Sequence, residues 1–216
     1  LTLTPFINDG YGAPPSSFPI YLESQKKIYV PKHYGYETFG NPDKIKNINK
    51  GLSIDLEFNG NLRDSKEEPV KLFLESCEDG SLIKKSKGGI ISLACGGGKT
   101  IISLYLLSKL KKKTLIIVHK EFLINQWKER ILQFLPYARV GIIQSKKINI
   151  KNKDIVIGML QSISMKEYPP DTFKDFGFTI IDECHHIGAE VFSRALPKIN
   201  CYYSLGLSAT PNRKDG

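Results

Sequence analysis

The chain has 216 residues and a mass of 24.3 kDa, enough for one domain with its own core plus a small extension and too short for two full domains. Hydrophobic residues at 41% and charged residues at 25% exclude a disordered, collagen-like or low-complexity chain. The net charge is +9, and no apolar run reaches the roughly 20 residues of a membrane-spanning helix, which excludes a transmembrane role for this stretch.

The opening LTLTPFINDG has neither the basic start nor the apolar middle of a signal peptide, so the chain is expected to be an intracellular segment of a longer protein. Residues 1–50, rich in Tyr, Pro, Gly and Asn, read as an irregular extension of unknown role with one strand at Gln25 to Val30. The main domain is expected over residues 51–216. It begins with LSIDLEF, Leu52 to Phe58, whose period-two alternation predicts a half-buried strand. Val70, Phe73, Leu74 and Cys77 then share one face of a helix over about 64–77, stopped by Asp79-Gly80.

From Gly89 the pattern changes to short apolar runs: GIISL (89–93), TLIIVH (114–119), RVGII (139–143), DIVIG (154–158), FTIID (178–182) and YSLGLS (203–208). Helical patterns at 99–110, 121–134 and 188–196 lie between them. Such an alternation predicts an α/β fold, a parallel sheet covered by helices on both faces. Ligands bind beyond the carboxyl ends of the strands in such sheets, so the residues after each run are where chemistry is expected.

The first run is followed by LACGGGKT, Leu93 to Thr100. Around Cys95, the glycines Gly96, Gly97 and Gly98 let successive N–H groups surround a phosphate, and a helix starting at Lys99 adds its positive end. Lys99 is placed to reach the β and γ phosphates of a nucleotide and Thr100 to hold Mg²⁺. The strict P-loop pattern is missed at one place, where Leu93 stands for a small residue. At Cys95 the backbone matters more than the thiol.

The fifth run ends in Asp182-Glu183, two carboxylates with separate tasks: Asp182 to share Mg²⁺ with Thr100, from a strand next to the P-loop strand, and Glu183 to activate water. Cys184, His185 and His186 follow, but no second ligand pair has zinc spacing. Cys77, Cys95, Cys184 and Cys201 likewise lack a disulfide framework, in keeping with a reducing compartment. Charge is uneven: residues 89–153 hold 13 Lys/Arg against two Asp/Glu. That surplus suits a polyanion such as nucleic acid. Lys109, Lys111, Lys112 and Lys113 equally suit a helix C-terminus.

Together, LACGGGKT, DECH and Ser208-Ala209-Thr210 resemble superfamily 2 helicases and translocases, in that family's order and spacing. GLSATPNRKDG and IVHKEFLINQWKERI are similar to the branch that includes the xeroderma pigmentosum group B helicase and the transcript-release helicases of poxviruses and other large DNA viruses. The resemblance implies a RecA-like P-loop NTPase domain, the first of two, using ATP and Mg²⁺ in a nucleic-acid-dependent ATPase, helicase or translocase acting on DNA in transcription or repair. It implies cytoplasmic or nuclear residence, or a viral replication compartment or virion. His185 and the Ser208-Ala209-Thr210 segment match the elements that couple the nucleotide to the second domain and the bound strand. Lys120, Gln161 and Ser162 fall at strand-contacting motifs with little sequence preference, although Gln161 and Ser162 can also cap a helix. Trp127 is expected to pack its helix on the sheet, and His119 to be a structural or rim residue.

The resemblance has one departure. The family often carries Leu-Arg followed by an adenine-reading glutamine; here LRDSK puts Lys66 there, a donor-only side chain, and leaves Arg63 to stack near the base. The chain ends six residues after Thr210, so the second domain and its arginine finger are expected elsewhere, and slow turnover is expected of this segment alone. A nucleotide-regulated clamp without turnover is the alternative, and it has no need of Glu183. A P-loop kinase leaves Ser208-Ala209-Thr210 unexplained.

Overall fold

A computed structural model describes residues 1–3, 17–44, 48–78, 87–185 and 190–210. The described part of residues 1–50 holds two small antiparallel sheets and a helix. Strands β1 (Thr2–Leu3) and β2 (Phe18–Pro19) pair, as do β3 (Leu22–Ser24) and β4 (Lys27–Tyr29), and α1 spans Lys32–Phe39. The single strand predicted at Gln25 to Val30 is thus one arm of a hairpin whose turn falls at Gln25-Lys26. The extension is tied to the sheet: Lys32 Nζ donates to the Tyr202 carbonyl at 3.1 Å, His33 Nε2 lies 2.9 Å from Ser204 Oγ, and Asn49 forms a bridge with Cys201.

The main domain runs α2 (Glu67–Cys77), β5 (Gly88–Ser92), α3 (Lys99–Leu110), β6 (Thr114–Val118), α4 (Glu121–Phe134), β7 (Val140–Gln144), β8 (Lys147–Ile148), β9 (Ile155–Met159), α5 (Leu160–Met165), β10 (Phe178–Ile181), α6 (Glu190–Ala195) and β11 (Tyr203–Ser208). The seven strands lie in the order β5-β11-β10-β6-β9-β7-β8, all pairs parallel except β7 with β8. Every residue of β6 is buried: Ile116 and Val118 pack on one face with Trp127, Ile131 and Leu106, while Leu115 and Ile117 pack on the other with Ile163, Phe173 and Phe176. A strand covered on both faces must be apolar throughout, which is why TLIIVH carries no alternation.

The predicted strand at Leu52 to Phe58 is not formed. Its alternation is real, with Leu56 buried and Ile54 and Phe58 packed against the core, but its neighbour is the short α3–β6 connection. Two backbone bonds (Ile54 N–H to Lys111 O, Lys113 N–H to Leu52 O) and the Ser53–Lys112 bridge tie it to that connection, and the Leu52 N–H goes instead to the Asp175 carbonyl at 2.8 Å. The segment is an extended strap, since period-two burial needs an extended backbone but not a ladder.

The basic stretch divides between two ends of the sheet. Lys111, in a left-handed conformation, caps α3 and pairs with Asp55 at 2.7 Å; Lys109 lies over the Tyr105 ring. Lys113 does not sit at the helix end as expected. It is a buried residue immediately before β6, donating to the Ile150 carbonyl at 2.9 Å over the Phe176 ring, and burial pulls its ammonium below the ordinary lysine value. These lysines occupy the amino ends of the strands. Lys120 and Lys146, exposed, follow the carboxyl ends of β6 and β7.

Candidate nucleotide-binding and hydrolytic site

Leu93 to Gly98 form a loop between β5 and α3, anchored by the Leu93 N–H on the Ser208 carbonyl (3.0 Å) and closed by the Gly97 N–H on the Ala94 carbonyl (3.0 Å). Gly96 and Gly98 have φ of +76° and +86°, conformations that L side chains disfavour by about 1–2 kcal/mol. Gly98 is also close-packed: a Cβ there would stand 2.3 Å from Lys66 Cε and 3.0 Å from Lys66 Nζ. Cys95 and Gly96 are exposed. Lys99 opens the 12-residue α3, and its ammonium donates to the Leu93 carbonyl at 2.9 Å. Thr100 follows in the first turn, where the helix amides and dipole favour an anion.

The strand carrying Asp182 is not next to the P-loop strand, as the sequence reading had it. Strand β11 lies between them, pairing with β5 on one side and β10 on the other. Ser208, Ala209 and Thr210 therefore leave the sheet between the loop and the acidic pair. Neighbouring strands stand about 4.8 Å apart, so the interposed strand sets the width of the cleft.

Asp182 is buried, with its N–H on the Ile117 carbonyl at 3.0 Å. Burial pushes its carboxyl above the ordinary aspartate value, while the indole of Trp127 donates to Oδ2 at 2.9 Å and pulls it back. Trp127 is 2% exposed and packs α4 on the sheet as expected. The missed part is its polar edge: a buried indole N–H needs an acceptor, and the one found is the site's own carboxylate. That requirement was the available signal.

Glu183 has φ of +52°, an unusual conformation for a residue with a Cβ. Its Oε2 lies 3.3 Å from His185 Nδ1, which is also 3.0 Å from Ser208 Oγ. Ser208 Oγ donates to the Thr210 carbonyl at 2.8 Å and accepts from the Thr210 N–H at 3.1 Å. A hydroxyl has one proton, and the Thr210 carbonyl uses it, so the network assigns the donor to His185 Nδ1–H. His185, Ser208 and Thr210 thus form one hydrogen-bonded chain, and Glu183 Oε2, buried without a hydrogen-bond partner, stands beside its histidine end. Cys184 points into the core, where burial raises its thiol to about 11. His186 lies outside the described residues. Among those described, no group of three His, Cys, Asp or Glu side chains is placed to hold a metal ion.

Gln161 and Ser162 follow β9, beside the end of β6. Neither caps α5, whose N-cap Met159 makes no side-chain bond. Gln161 Nε2 donates to the His119 carbonyl at 3.1 Å, and Ser162 Oγ accepts the Ser145 N–H at 2.8 Å. They join the ends of β6, β7 and β9 into one rim, with Lys120 exposed on it. His119 is half-buried there, held below the ordinary histidine value by burial and by Lys120. Arg63 is exposed, and its carbonyl accepts the Lys66 N–H at 2.8 Å in the turn that carries Lys66 to Gly98.

The donor set suits a magnesium-nucleotide. Hydroxyl and carboxylate oxygens are the hard ligands Mg²⁺ takes, and the Asp182 carboxylate is fixed by the Trp127 indole and the Glu183 backbone N–H.

Comparison with known proteins agrees with this geometry. The family described as "Type III restriction enzyme, res subunit" matches residues 59–213. A protein of Acanthamoeba polyphaga mimivirus, named provisionally as an ATP-dependent RNA helicase, is 38% identical over 221 residues, covering 100% of this chain and 41% of the relative. The DNA 3'-5' translocase XPB2 of Sulfurisphaera tokodaii is 37% identical over 155 residues, covering 72% of this chain and 32% of the relative. The chain therefore spans less than half the length of these relatives. Among solved structures, the SWI2/SNF2 ATPase core of Sulfolobus solfataricus in complex with dsDNA aligns over 75% of this chain and 34% of its own, with TM-score 0.57 and 20% identity. The UvsW helicase of bacteriophage T4 aligns over 87% of this chain and 73% of its own, with TM-score 0.56 and 18% identity. These structural likenesses speak for the RecA-like fold, and the sequence match assigns the lineage: the chain belongs to the Type III restriction enzyme res-subunit family, among whose relatives are proteins named as an ATP-dependent helicase and a DNA translocase.

Proposed function

We propose that this chain is the ATP-binding half of a nucleic-acid-dependent motor, and that residues 51–216 form its first RecA-like domain. The observation that carries the proposal is the contact chain from Glu183 through His185 to Ser208 and Thr210. A clamp needs only to bind nucleotide. A carboxylate held in an unfavourable backbone conformation, with a buried unpaired oxygen 3.3 Å from the imidazole that bonds Ser208, suits turnover coupled to movement.

In this reading the loop amides of Gly96 to Gly98 cradle the polyphosphate. Lys99 leaves the Leu93 carbonyl to bind the phosphates, and Thr100 and Asp182 hold Mg²⁺, which neutralises charge on the transferred phosphoryl group when bound. Trp127 fixes the Asp182 carboxylate. Glu183 orients water and takes its proton, and His185 passes the change in Glu183 to Ser208 and Thr210. Nucleic acid crosses the rim at the ends of β6, β7 and β9. There Lys120 meets phosphates without reading sequence, while Gln161 and Ser162 hold the rim together. A second RecA-like domain, in the remaining length that the relatives possess, completes the site. DNA is the favoured track, in keeping with the named translocase relative; the mimivirus relative's name makes RNA the second arm of any assay.

The test is Glu183→Gln. A motor loses about 10²–10⁴ in phosphate release, the worth of a positioned base, while nucleotide affinity persists. Equal turnover in both proteins would remove Glu183 from its role, and no turnover in either, with nucleotide-dependent strand retention, would establish the clamp.

A further inference from the structure

The turn before α2 delivers a second lysine to the phosphate loop. Residues Asp64–Lys66 make one 3-10 turn, closed by the Lys66 N–H on the Arg63 carbonyl. Lys66 then lays its side chain across Gly98, with Cε and Nζ at 2.3 and 3.0 Å from where a Cβ of Gly98 would be. A Cβ at Gly98 would push this lysine tip aside. Gly98 is the N-cap of α3, so the Lys66 ammonium stands beside the loop amides that surround a phosphate, while the Lys99 ammonium rests on the Leu93 carbonyl. Two cations thus converge on one loop from separate elements. An ammonium has three donors and no acceptor. It can pair with any phosphate oxygen, but it cannot satisfy the donor–acceptor edge of adenine.

We infer that Lys66 is a specificity-determining residue that grips the polyphosphate, so that the site holds nucleoside triphosphates by their phosphates with little discrimination between bases. The inference rests on the nucleotide site proposed above. Its geometric basis is the contact with Gly98, and its chemical basis is the match between a donor-only cation and a polyanion. A charge-assisted contact of this kind changes affinity by about tenfold or more.

The experiment measures dissociation constants of the purified protein for ATP, GTP, CTP, UTP and inorganic tripolyphosphate by calorimetry, with Lys66→Met, Lys66→Gln and Lys99→Ala alongside. The wild type is expected to hold the four nucleotides within about threefold of one another. Lys66→Met should weaken all four, and tripolyphosphate, by a common factor of about ten, with its melting temperature recorded alongside because Lys66 is half-buried. Lys66→Gln should lose the same factor for GTP, CTP, UTP and tripolyphosphate and regain part of it for ATP alone. Unchanged tripolyphosphate binding in Lys66→Met overturns the inference, as does a wild-type preference for GTP, which would make Lys66 a reader of the guanine acceptors O6 and N7. If ATP affinity is indifferent to Lys99→Ala, the nucleotide site itself is refuted, a separate outcome from failure of Lys66 alone.

Discussion

Replacing Trp127 by Phe keeps an aromatic ring under the sheet and removes one donor. The lost bond is the 2.9 Å contact from the indole to Asp182 Oδ2, between two buried side chains. A hydrogen bond to a charged acceptor contributes about 1.5–3 kcal/mol, and the smaller ring leaves a cavity worth roughly a further 1 kcal/mol, so Trp127→Phe should cost about 3 kcal/mol in urea unfolding. The cavity and the bond separate in a double-mutant cycle with Asp182→Ala, where a coupling of about 2 kcal/mol is expected. The pH dependence has a definite sign. Asp182's folded pKa lies above 3.8 because of burial, so the folded state binds more protons than the unfolded one between those values. Holding Asp182 ionised therefore costs stability as pH rises through that window, and Trp127 offsets part of the cost. The penalty of Trp127→Phe should be full at pH 7 and shrink as pH falls through the folded pKa. Additivity of the two substitutions within about 0.5 kcal/mol, or a penalty independent of pH, would refute the reasoning.

Two further outcomes follow from other parts of the molecule. Asp154 accepts from Arg139 at Nε (2.9 Å), Nη2 (2.6 Å) and the backbone N–H (2.8 Å), bonds that hold its carboxyl below the usual aspartate value against the opposing effect of burial. Because the Arg139 side chain is 63% exposed, Asp154→Ala should cost only about 2 kcal/mol, a difference present above pH 3.8 and lost as pH falls through the folded value, read by denaturant titration across pH. Lys120→Ala should weaken nucleic acid binding equally across sequences and lower the salt slope of log K by about 1, measured by anisotropy at several salt concentrations; an unchanged slope would take Lys120 off the track.

The alternating half of the molecule was legible because each signal is local. Apolar runs bounded by glycine or charge located β5, β6, β9, β10 and β11, and helix periodicity placed α3 and α4 at the observed limits. What failed depends on neighbours. Leu52 to Phe58 alternates correctly, yet a strand requires a partner of matching length, and among the described residues it meets the short α3–β6 connection and the Asp175 carbonyl. Strand order is likewise set by crossovers, so the insertion of β11 between the P-loop strand and Asp182 could not be read from run spacing. Within the site, residue types and motif order identified the loop, the acidic pair and Ser208. The Trp127–Asp182 bond and the Lys66–Gly98 contact bridge 55 and 32 residues of sequence respectively, and they exist only once α4 and α2 have docked.

The central claim is that nucleic acid drives ATP hydrolysis at Lys99 and the Asp182-Glu183 pair. The most direct measurement is phosphate release from ATP, alone and with single-stranded DNA, duplex DNA or RNA, in the full-length protein and in Lys99→Ala. The account predicts stimulation by at least one polymer, DNA foremost, that disappears in Lys99→Ala. Turnover that no polymer raises, or stimulation that survives Lys99→Ala, would contradict it.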